Sequence, residues 1–315
     1  MTPRDSPTGD AQPDPGPSPR FPAHTTPRVS IVVLTHNRRD ELLRTLRGLR
    51  ERYPAHPIIV VDNASTDGTE AQVARRYPDV QLLRAPRNEG AAARNRGCRA
   101  ARTPYVAFCD DDTCWDAGAL LIAERIFDAW PDLGLVSGQV TIGNSGMPDP
   151  TCTRMAHSPL PGLPGVGPGL VGFMAGACVA RRDAFLQAGG YWPALFLGGE
   201  EGLLALDLLQ AGWRIVYAPV LVTRHHPSAR RNAPQRRSLL ARNAVWLAWL
   251  RLPARRAWRE TCTVFSNARG RRLALLAAIL RGLPRVLAHR RVVSPQVLAQ
   301  RDAVQAAEAA QRQAA

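Results

Sequence analysis

One stretch of the chain decides the fold class, because its pattern then repeats. It consists of the apolar run Val29-Ser-Ile-Val-Val-Leu34, the polar residues Thr35-His-Asn37, and leucines at helical spacing up to residue 52. Similar apolar runs follow at Ile58-Ile-Val-Val-Asp62, Val80-Gln-Leu-Leu83 and Tyr105-Val-Ala-Phe-Cys109. Buried runs that alternate with helical patterns through short connections indicate an α/β fold with a doubly wound, mostly parallel sheet. We expect a ligand at the carboxyl ends of its strands.

Polar residues concentrate at these predicted strand ends, in residues 35–37, 62–67, 88 and 110–112. Side chains alternate along an extended chain, so Asp110 and Asp112 should point to one side and Asp111 to the other. Two carboxylates that face a crevice suit a hard divalent cation such as Mg²⁺ or Mn²⁺. A solvated acidic loop and a helix cap are the alternative interpretations.

Four successive motifs resemble those of family 2 glycosyltransferases, in particular a bacterial rhamnosyltransferase-like group. They are Val29-Ser-Ile-Val-Val-Leu-Thr-His-Asn-Arg38, Val60-Val-Asp-Asn-Ala-Ser-Thr-Asp-Gly-Thr69, Asn88-Glu-Gly-Ala-Ala-Ala-Arg-Asn-Arg-Gly97 and Phe108-Cys-Asp-Asp-Asp112. Each is a weak signal alone, whereas their order and separation over residues 29–130 are specific. The resemblance implies the GT-A fold, a Rossmann-like, mostly parallel sheet flanked by helices.

The resemblance also implies a nucleotide-sugar donor and a divalent cation, Mg²⁺ or Mn²⁺. Carried over by motif, Asp62 accepts an N–H group of the base, and Asp112 binds the cation at the diphosphate. The residues that the motifs assign to the donor site are Thr35, Asn37, Asp62, Asp67, Arg94, Asn95, Asp110 and Asp111. Asp110 is also expected to contribute to the metal site.

The resemblance resumes at Gly199-Glu-Glu-Gly-Leu-Leu-Ala-Leu-Asp207, which is similar to the acidic motif of the family. Glu201 stands where the catalytic Asp of the family usually stands, and Glu200 precedes it. As a general base, Glu201 would take the proton of the acceptor hydroxyl while the anomeric carbon inverts. Leu203 replaces an acid of the motif and Asp207 stands where Arg is common. The alternative for both glutamates is that they complement the dipole of a helix N-terminus.

Two further positions resemble parts of the family's site. His225 follows a predicted strand at the place where many relatives have a histidine that closes the donor site against metal or phosphate, although it is equally compatible with a solvent-facing role. Gly176 belongs to a small-residue motif, Gly176-Ala-Cys178, that is similar to the acceptor side of the family. A tightly packed core strand explains Cys178 as well.

Composition divides the chain into four regions. Residues 1–27 contain eight prolines and no apolar run, so they predict a disordered arm without a signal peptide. Residues 28–223 should form the GT-A catalytic domain, with a mobile loop over 147–169, where prolines and glycines crowd the second half. Residues 224–300 should form a basic amphipathic helical segment, and residues 301–315 a tail. No run reaches the roughly 18 apolar residues that spanning a bilayer requires.

The net positive charge of the chain arises in the basic segment. The chain has 41 basic residues, all arginine, against 26 acidic ones, and a formal net charge of +15. Residues 224–291 carry a formal charge of +16. Basic amphipathic helices with tryptophan suit an anionic membrane surface, although they could instead pack on the catalytic domain with arginine outside. Nucleic acid is not expected as a partner, because no nucleic-acid-binding motif is present.

The leading hypothesis is therefore a glycosyltransferase that uses a polysaccharide or lipid-linked acceptor in synthesis of the cell envelope. Six cysteines without paired spacing indicate reduced thiols, and hence a cytoplasmic protein that is peripheral on the inner face of the cell membrane. A zinc site from Cys109 and Cys114 is an alternative for two of them. The alternative functions are a nucleotidyltransferase of similar fold and a catalytically silent anion-binding module.

Overall fold

Strands and helices alternate from the first described residues onward. The computed structural model describes residues 26–143, 146–227, 233–268 and 270–314, so the predicted arm lies outside the described residues up to residue 25. The strands are β1 Val29–Thr35, β2 Ile58–Asp62, β3 Gln81–Arg84, β4 Tyr105–Asp110, β5 Thr113–Trp115, β6 Leu133–Ile142, β7 Met147–Pro148, β8 Leu160–Leu163, β9 Gly167–Gly169, β10 Ala177–Arg181 and β11 Arg214–His225. The α-helices are α1 Arg39–Arg52, α2 Thr69–Arg76, α3 Arg94–Ala100, α4 Ala119–Ala129, α5 Pro150–Ala156, α6 Arg182–Gln187, α7 Glu200–Gln210, α8 Ala233–Arg251, α9 Ala254–Asn267, α10 Arg272–Ala288 and α11 Pro295–Ala314.

The strands form one mixed sheet in the order β3-β2-β1-β4-β10-β6-β11-β9-β8, with β5 beside β11 and β7 beside β6. The first four strands are parallel, as the sequence predicts, whereas β10 is antiparallel to both of its neighbours. Thr35 pairs with Asp62, and Leu34 pairs with Asp110. This register brings the polar ends of β1, β2 and β4 to one edge of the sheet.

Both faces of the sheet are covered, which explains why β1 is apolar along most of its length. Ile31 and Val33 are buried in one apolar cluster with Leu42 and Leu46 of α1. Val32 is buried on the opposite face, in a cluster that includes residues of α3 and α7. Successive side chains of a strand point to opposite faces, so a strand that is covered on both sides needs apolar residues at consecutive positions.

The region 147–169 differs from its prediction as a mobile loop. It forms β7, α5 and the β8–β9 hairpin, and Gly169 pairs with Val216 of β11. Asp149 caps α5 by accepting a hydrogen bond from the backbone N–H of Thr151 at 2.8 Å, and Pro150 follows as the first helical residue. Proline is favourable there because the first N–H of a helix has no helical partner. The loop prediction is wrong because prolines at a helix start and near a sheet edge are compatible with regular structure.

The C-terminal helices pack onto α7, the helix that begins with the two glutamates. Leu203 of α7 is buried in an apolar cluster with Trp246 of α8 and Ile279 of α10. Asp207 of α7 forms a bidentate ion pair with Arg251, the last residue of α8, with a distance of 2.9 Å between Nη2 and Oδ2. Leu203 and Asp207, the two residues that depart from the acidic motif, therefore both contact the C-terminal helices.

Secondary structure continues across the predicted regional boundaries. β11 passes residue 223, and α11 covers both the end of the basic segment and nearly all of the tail. α10 stays helical through Pro284, where the sequence predicts a break or kink. Among the described residues, none of the helices combines the length and apolar character needed to cross a membrane.

Candidate active site

The carboxyl edge of the sheet holds two aspartates around one arginine. Arg38 Nη1 donates to Asp111 Oδ1 at 3.0 Å and to Asp112 Oδ2 at 3.1 Å. Thr35 Oγ1 donates to the other oxygen of Asp111 at 2.9 Å. Burial raises the pKa of Asp111 to about 7, although the positive charge of Arg38 and the bond from Thr35 act in the opposite direction. Asp111 is thus an internal anchor of this edge.

Asp110 has different neighbours. Its carboxylate forms an ion pair with the buried guanidinium of Arg94. A Cβ added to Gly176 would come within 2.5 Å of Asp110 Oδ2, so the glycine leaves the space that this carboxylate occupies. The predicted alternation is wrong: Asp111 and Asp112 share Arg38 while Asp110 turns away, because β4 ends at Asp110 and the chain turns before β5 begins.

Asp62 ends β2 and is completely buried. Its Oδ1 accepts the backbone N–H of Ser65 at 2.9 Å, whereas its Oδ2 has no hydrogen-bond partner among the described residues. Arg84 Nη1 lies 3.9 Å from that oxygen. Buried acceptors are normally hydrogen-bonded, so this oxygen is a candidate acceptor for an N–H group of a ligand.

Two of the predicted donor residues join the loops that follow β1 and β2. Asn37, whose φ of 53° lies in the left-handed region where asparagine is tolerated, accepts the backbone N–H of Thr66 at 2.7 Å. Asp67 accepts the backbone N–H groups of Arg39 at 2.9 Å and Thr69 at 3.1 Å. Burial would raise the pKa of Asp67, but the hydrogen bond from the Thr69 hydroxyl, together with these backbone bonds, outweighs it and lowers the pKa below its ordinary value. Both residues therefore link the loop after β1 to the loop after β2.

Asn95 makes a similar connection on the other side of the site. Its amide binds both backbone groups of Tyr191, donating to the carbonyl at 2.8 Å and accepting the N–H at 2.9 Å. Asn95 thus ties α3 to the segment that leads into α7. The neighbouring Arg94 is the residue of this motif that faces the carboxylates.

Two glutamates begin α7 within electrostatic reach of Arg94. Burial raises the pKa of Glu200, and its Oε2 has no hydrogen-bond partner within the described ranges. Burial, and then the negative charge of Glu200, raise the pKa of Glu201 to about 7. Burial alone would lower the pKa of Arg94, but the charges of Asp110 and the two glutamates raise it. The structure therefore gathers carboxylates from β4 and α7 around one guanidinium.

Comparison with known protein families identifies this architecture. The sequence model of glycosyl transferase family 2 matches residues 30–189, just over half of the chain. The chain belongs to glycosyl transferase family 2. The match covers the four strand-end motifs and Gly176, and it favours glycosyl transfer over the nucleotidyltransferase alternative.

Individual relatives agree with the family. This family 2 chain is 28% identical over 242 residues to pre-mycofactocin glycosyltransferase of Mycobacterium tuberculosis, with 72% of the chain and 47% of the relative covered, so it spans about half the length of that protein. It is 29% identical over 236 residues to N-acetylglucosaminyl-diphospho-decaprenol L-rhamnosyltransferase of the same species, with 62% and 75% covered. Its fold is similar to that of the mannosyltransferase PcManGT from Pyrobaculum calidifontis in complex with GDP-Man and Mn²⁺ (TM-score 0.51, 19% identity, 90% and 86% covered). The predicted GT-A fold is confirmed.

In this family 2 chain, the segment that leads into α7 is held from two sides. On one side, the backbone N–H of Ala91, just before α3, donates to the carbonyl of Phe196 at 2.7 Å. On the C-terminal side, the completely buried Asn243 of α8 donates from Nδ2 to the carbonyls of residues 195, 197 and 198 at 2.8, 3.1 and 2.6 Å. The sequence places Asn243 on the apolar stripe of α8, and an amide within such a stripe is the signal of a buried polar role.

Arg38 and Arg84 are further site residues that the sequence reasoning did not assign. Arg38 bridges Asp111 and Asp112, and it belongs to the first strand-end motif. Arg84 ends β3 beside Asp62. Their position directly at predicted strand ends is the available signal.

Two side chains of this family 2 chain fit a divalent cation. Asp112 Oδ1 and His225 Nε2 lie 3.6 Å apart at the site edge. Within the described ranges no three His, Cys, Asp or Glu side chains come together as a metal-binding group, so neither Asp110 nor the zinc alternative with Cys109 and Cys114 completes one. Mg²⁺ at phosphate sites is held by one or two carboxylates and the substrate phosphates, and imidazole is a common ligand of transition metals. Asp112 and His225 therefore fit a cation whose coordination a bound diphosphate would complete.

Proposed function

We propose that this protein is an inverting, metal-dependent glycosyltransferase that moves a sugar from a nucleotide-diphosphate sugar to a hydroxyl acceptor. One observation carries the proposal. The buried guanidinium of Arg94 forms an ion pair with Asp110 at the end of β4, and it lies within electrostatic reach of Glu201 at the start of α7. The family supports the reaction class. The GDP-mannose and Mn²⁺ in the PcManGT complex support a nucleotide-sugar donor and a cation.

The donor would lie along the carboxyl edge of the sheet. Asp62 would accept an N–H group of the base through Oδ2, which has no hydrogen-bond donor in the part of the chain that the structure describes. Asp112 and His225 would hold Mg²⁺ or Mn²⁺ beside the diphosphate. The bound cation stabilises the negative charge that develops on the leaving diphosphate.

Glu201 would act as the general base. A pKa of about 7 leaves a large ionised fraction at neutral pH while keeping the carboxylate basic enough to accept a proton. The acceptor oxygen would form its bond to the anomeric carbon as the bond to the diphosphate oxygen breaks, and the hydroxyl proton would pass to Glu201. Attack on the face opposite the leaving group inverts the anomeric centre. Glu200 would serve by keeping the pKa of Glu201 high.

The acceptor is proposed to be a polysaccharide or a lipid-linked sugar of the cell envelope. The decaprenol-linked acceptor in the name of the rhamnosyltransferase relative supports the lipid-linked form. Six free thiols are compatible with a reducing compartment, so the proposed location is cytoplasmic and peripheral on the inner face of the cell membrane.

The glutamates are tested by measuring release of nucleoside diphosphate from a panel of nucleotide sugars with Mn²⁺. Glu201→Gln should retain donor binding in a thermal-shift assay and lose turnover by about 10²–10⁴-fold, whereas Glu308→Gln on α11 should match the wild type. Near-normal turnover of Glu201→Gln would assign the base elsewhere, with Glu200→Gln as the next variant. Pyrophosphate as product would favour a nucleotidyltransferase, and a wild type without turnover would favour the silent module.

A further inference from the structure

We infer that the exposed apolar face of α10 docks onto an anionic lipid surface, an inference that rests on the proposed function for its membrane setting. The face consists of Leu273, Leu276, Leu280 and Leu287, which are 84%, 41%, 52% and 49% exposed. Their separations of three, four and seven residues place them on one side of the helix. We call these four leucines the leucine face.

The leucine face is not the side on which α10 packs against the protein. Leu275, Ile279 and Val286 are buried in the cluster with Trp246 of α8. Gly282 lies on the same packed side, since a Cβ added there would come within 2.2 Å of the Trp246 ring. The buried residues are offset from the leucine face by about a third of a helical turn. α10 is thus apolar on two neighbouring sides, one packed and one exposed, and a contiguous exposed apolar patch of this kind marks an interaction surface.

Charge identifies the occupant of this face. The segment 224–291 has seventeen arginines and one acid, Glu260, which already pairs with Arg301. Arg281 lies beside the leucine face on α10, and among the described residues it has no carboxylate partner. The same holds for Arg255, Arg259, Arg271 and Arg291. Leucines flanked by unneutralised arginines complement a surface that is apolar inside and anionic at the headgroups.

Two other occupants fit the charge less well. A second copy of the chain would bring two arginine-rich helices together, and like charges across an interface are unfavourable. A nucleic acid would neutralise the arginines, but its phosphate backbone would make no use of four exposed leucines. Dependence on the leucines therefore distinguishes a lipid surface from a nucleic acid.

The test is co-flotation of the full chain with vesicles. One set contains phosphatidylcholine alone and the other contains phosphatidylcholine and phosphatidylglycerol in equal parts. The wild type should float with the anionic vesicles at low salt, be largely released at high salt, and stay unbound with phosphatidylcholine alone. Leu276→Ser combined with Leu280→Ser should weaken binding to anionic vesicles by about tenfold or more, and Arg281→Gln should weaken it at low salt only.

Matched controls lie on α4 of the catalytic domain. The exposed fraction of Leu121, 44%, is similar to that of Leu276, 41%. Leu121→Ser therefore tests the loss of an exposed leucine elsewhere. Arg125→Gln tests the loss of a surface arginine elsewhere. Both should bind vesicles like the wild type. All variants should keep the melting temperature and the donor turnover of the wild type without vesicles, because the leucine face lies outside the catalytic site.

Several results would overturn the inference. They are absence of wild-type binding to anionic vesicles, equal binding by the double leucine variant, and a wild-type dimer that becomes monomeric in that variant. Binding to duplex DNA that competes with vesicles and survives the leucine substitutions would assign the arginines to nucleic acid. Donor turnover without vesicles is measured separately, so failure of the glycosyltransferase proposal and failure of membrane docking give different results.

Discussion

Replacing Asn243 by aspartate would reveal whether α8 positions the two glutamates that begin α7. The substitution keeps the shape of the side chain but removes the two amide N–H groups that serve the carbonyls of residues 195, 197 and 198. A buried polar group that loses its partner costs about 1–3 kcal/mol. Loss of two donors should therefore lower the free energy of unfolding by about 2–6 kcal/mol. One oxygen of the new carboxylate would face carbonyl oxygens, whereas the other would keep the hydrogen bonds that Arg242 donates to Oδ1, which favours the lower part of this range.

The same substitution should change catalysis through Glu201. The carbonyl of Gly198 lies just before the helix that carries the glutamates, so release of this segment should lower turnover by about tenfold or more. An additional negative charge near α7 should raise the pKa of Glu201 further. The acidic limb of the turnover profile would then move to higher pH, which a purely structural destabilisation would not cause.

The assay combines thermal unfolding with nucleoside diphosphate release at a series of pH values around neutrality. Asn267→Asp is the matched control, because Asn267 is exposed at the end of α9 and should change neither measurement. An Asn243→Asp variant that melts with the wild type and keeps its pH midpoint would refute the positioning role. A lower melting temperature with an unchanged midpoint would limit Asn243 to stability.

Three further predictions concern the acids, the glycine beside them and the C-terminal attachment. The pKa of Glu201 is raised to about 7 in the fold and is near 4.5 in the unfolded chain, so the folded state binds more protons between these values and stability falls as pH rises through that window. Glu201→Gln should reduce this pH-dependent loss of unfolding free energy by at most about 3 kcal/mol. The measurement is denaturant unfolding at pH values on either side of the window. Gly176→Ala should weaken donor affinity measured by calorimetry, because its Cβ meets a site carboxylate, whereas Gly172→Ala has nothing within 4 Å and should bind normally. Arg251→Ala should lower the unfolding free energy by about 1–3 kcal/mol by leaving the partly buried carboxylate of Asp207 without its partner, while Arg312→Ala, in an exposed pair, should leave the melting curve unchanged.

Local pattern is enough to predict the N-terminal part of the fold, from β1 to β4. The apolar runs that become β1, β2 and β4 are continuous because both of their faces are covered, and the polar residues after them mark the edge where the strands end. Thr35, Asp62 and Asp110 therefore fall together through register alone. The prediction fails one residue further on, where Asp111 and Asp112 lie in a turn and no longer follow strand alternation.

The C-terminal part, from α7 onward, depends on contacts between distant parts of the chain. The spacing of α7 gives no indication that Leu203 is buried by α8 and α10, or that Asp207 meets Arg251. Both positions stand out in the sequence only as departures from a family motif. The loop prediction for residues 147–169 fails for a related reason, because the sheet edge that orders those prolines and glycines is supplied by β11.

The attachment of α8 and α10 to α7 has a consequence for swapping parts between relatives. The family match ends at residue 189, before the glutamates, and the surface that receives the C-terminal helices begins on the very helix that carries them. A shortened chain that stops after β11 would leave Leu203 bare and Asp207 without its counter-ion. A chimaera that takes its C-terminal helices from another member of the family must therefore take α7 from the same parent, so that the two glutamates and the C-terminal helices are inherited as one unit.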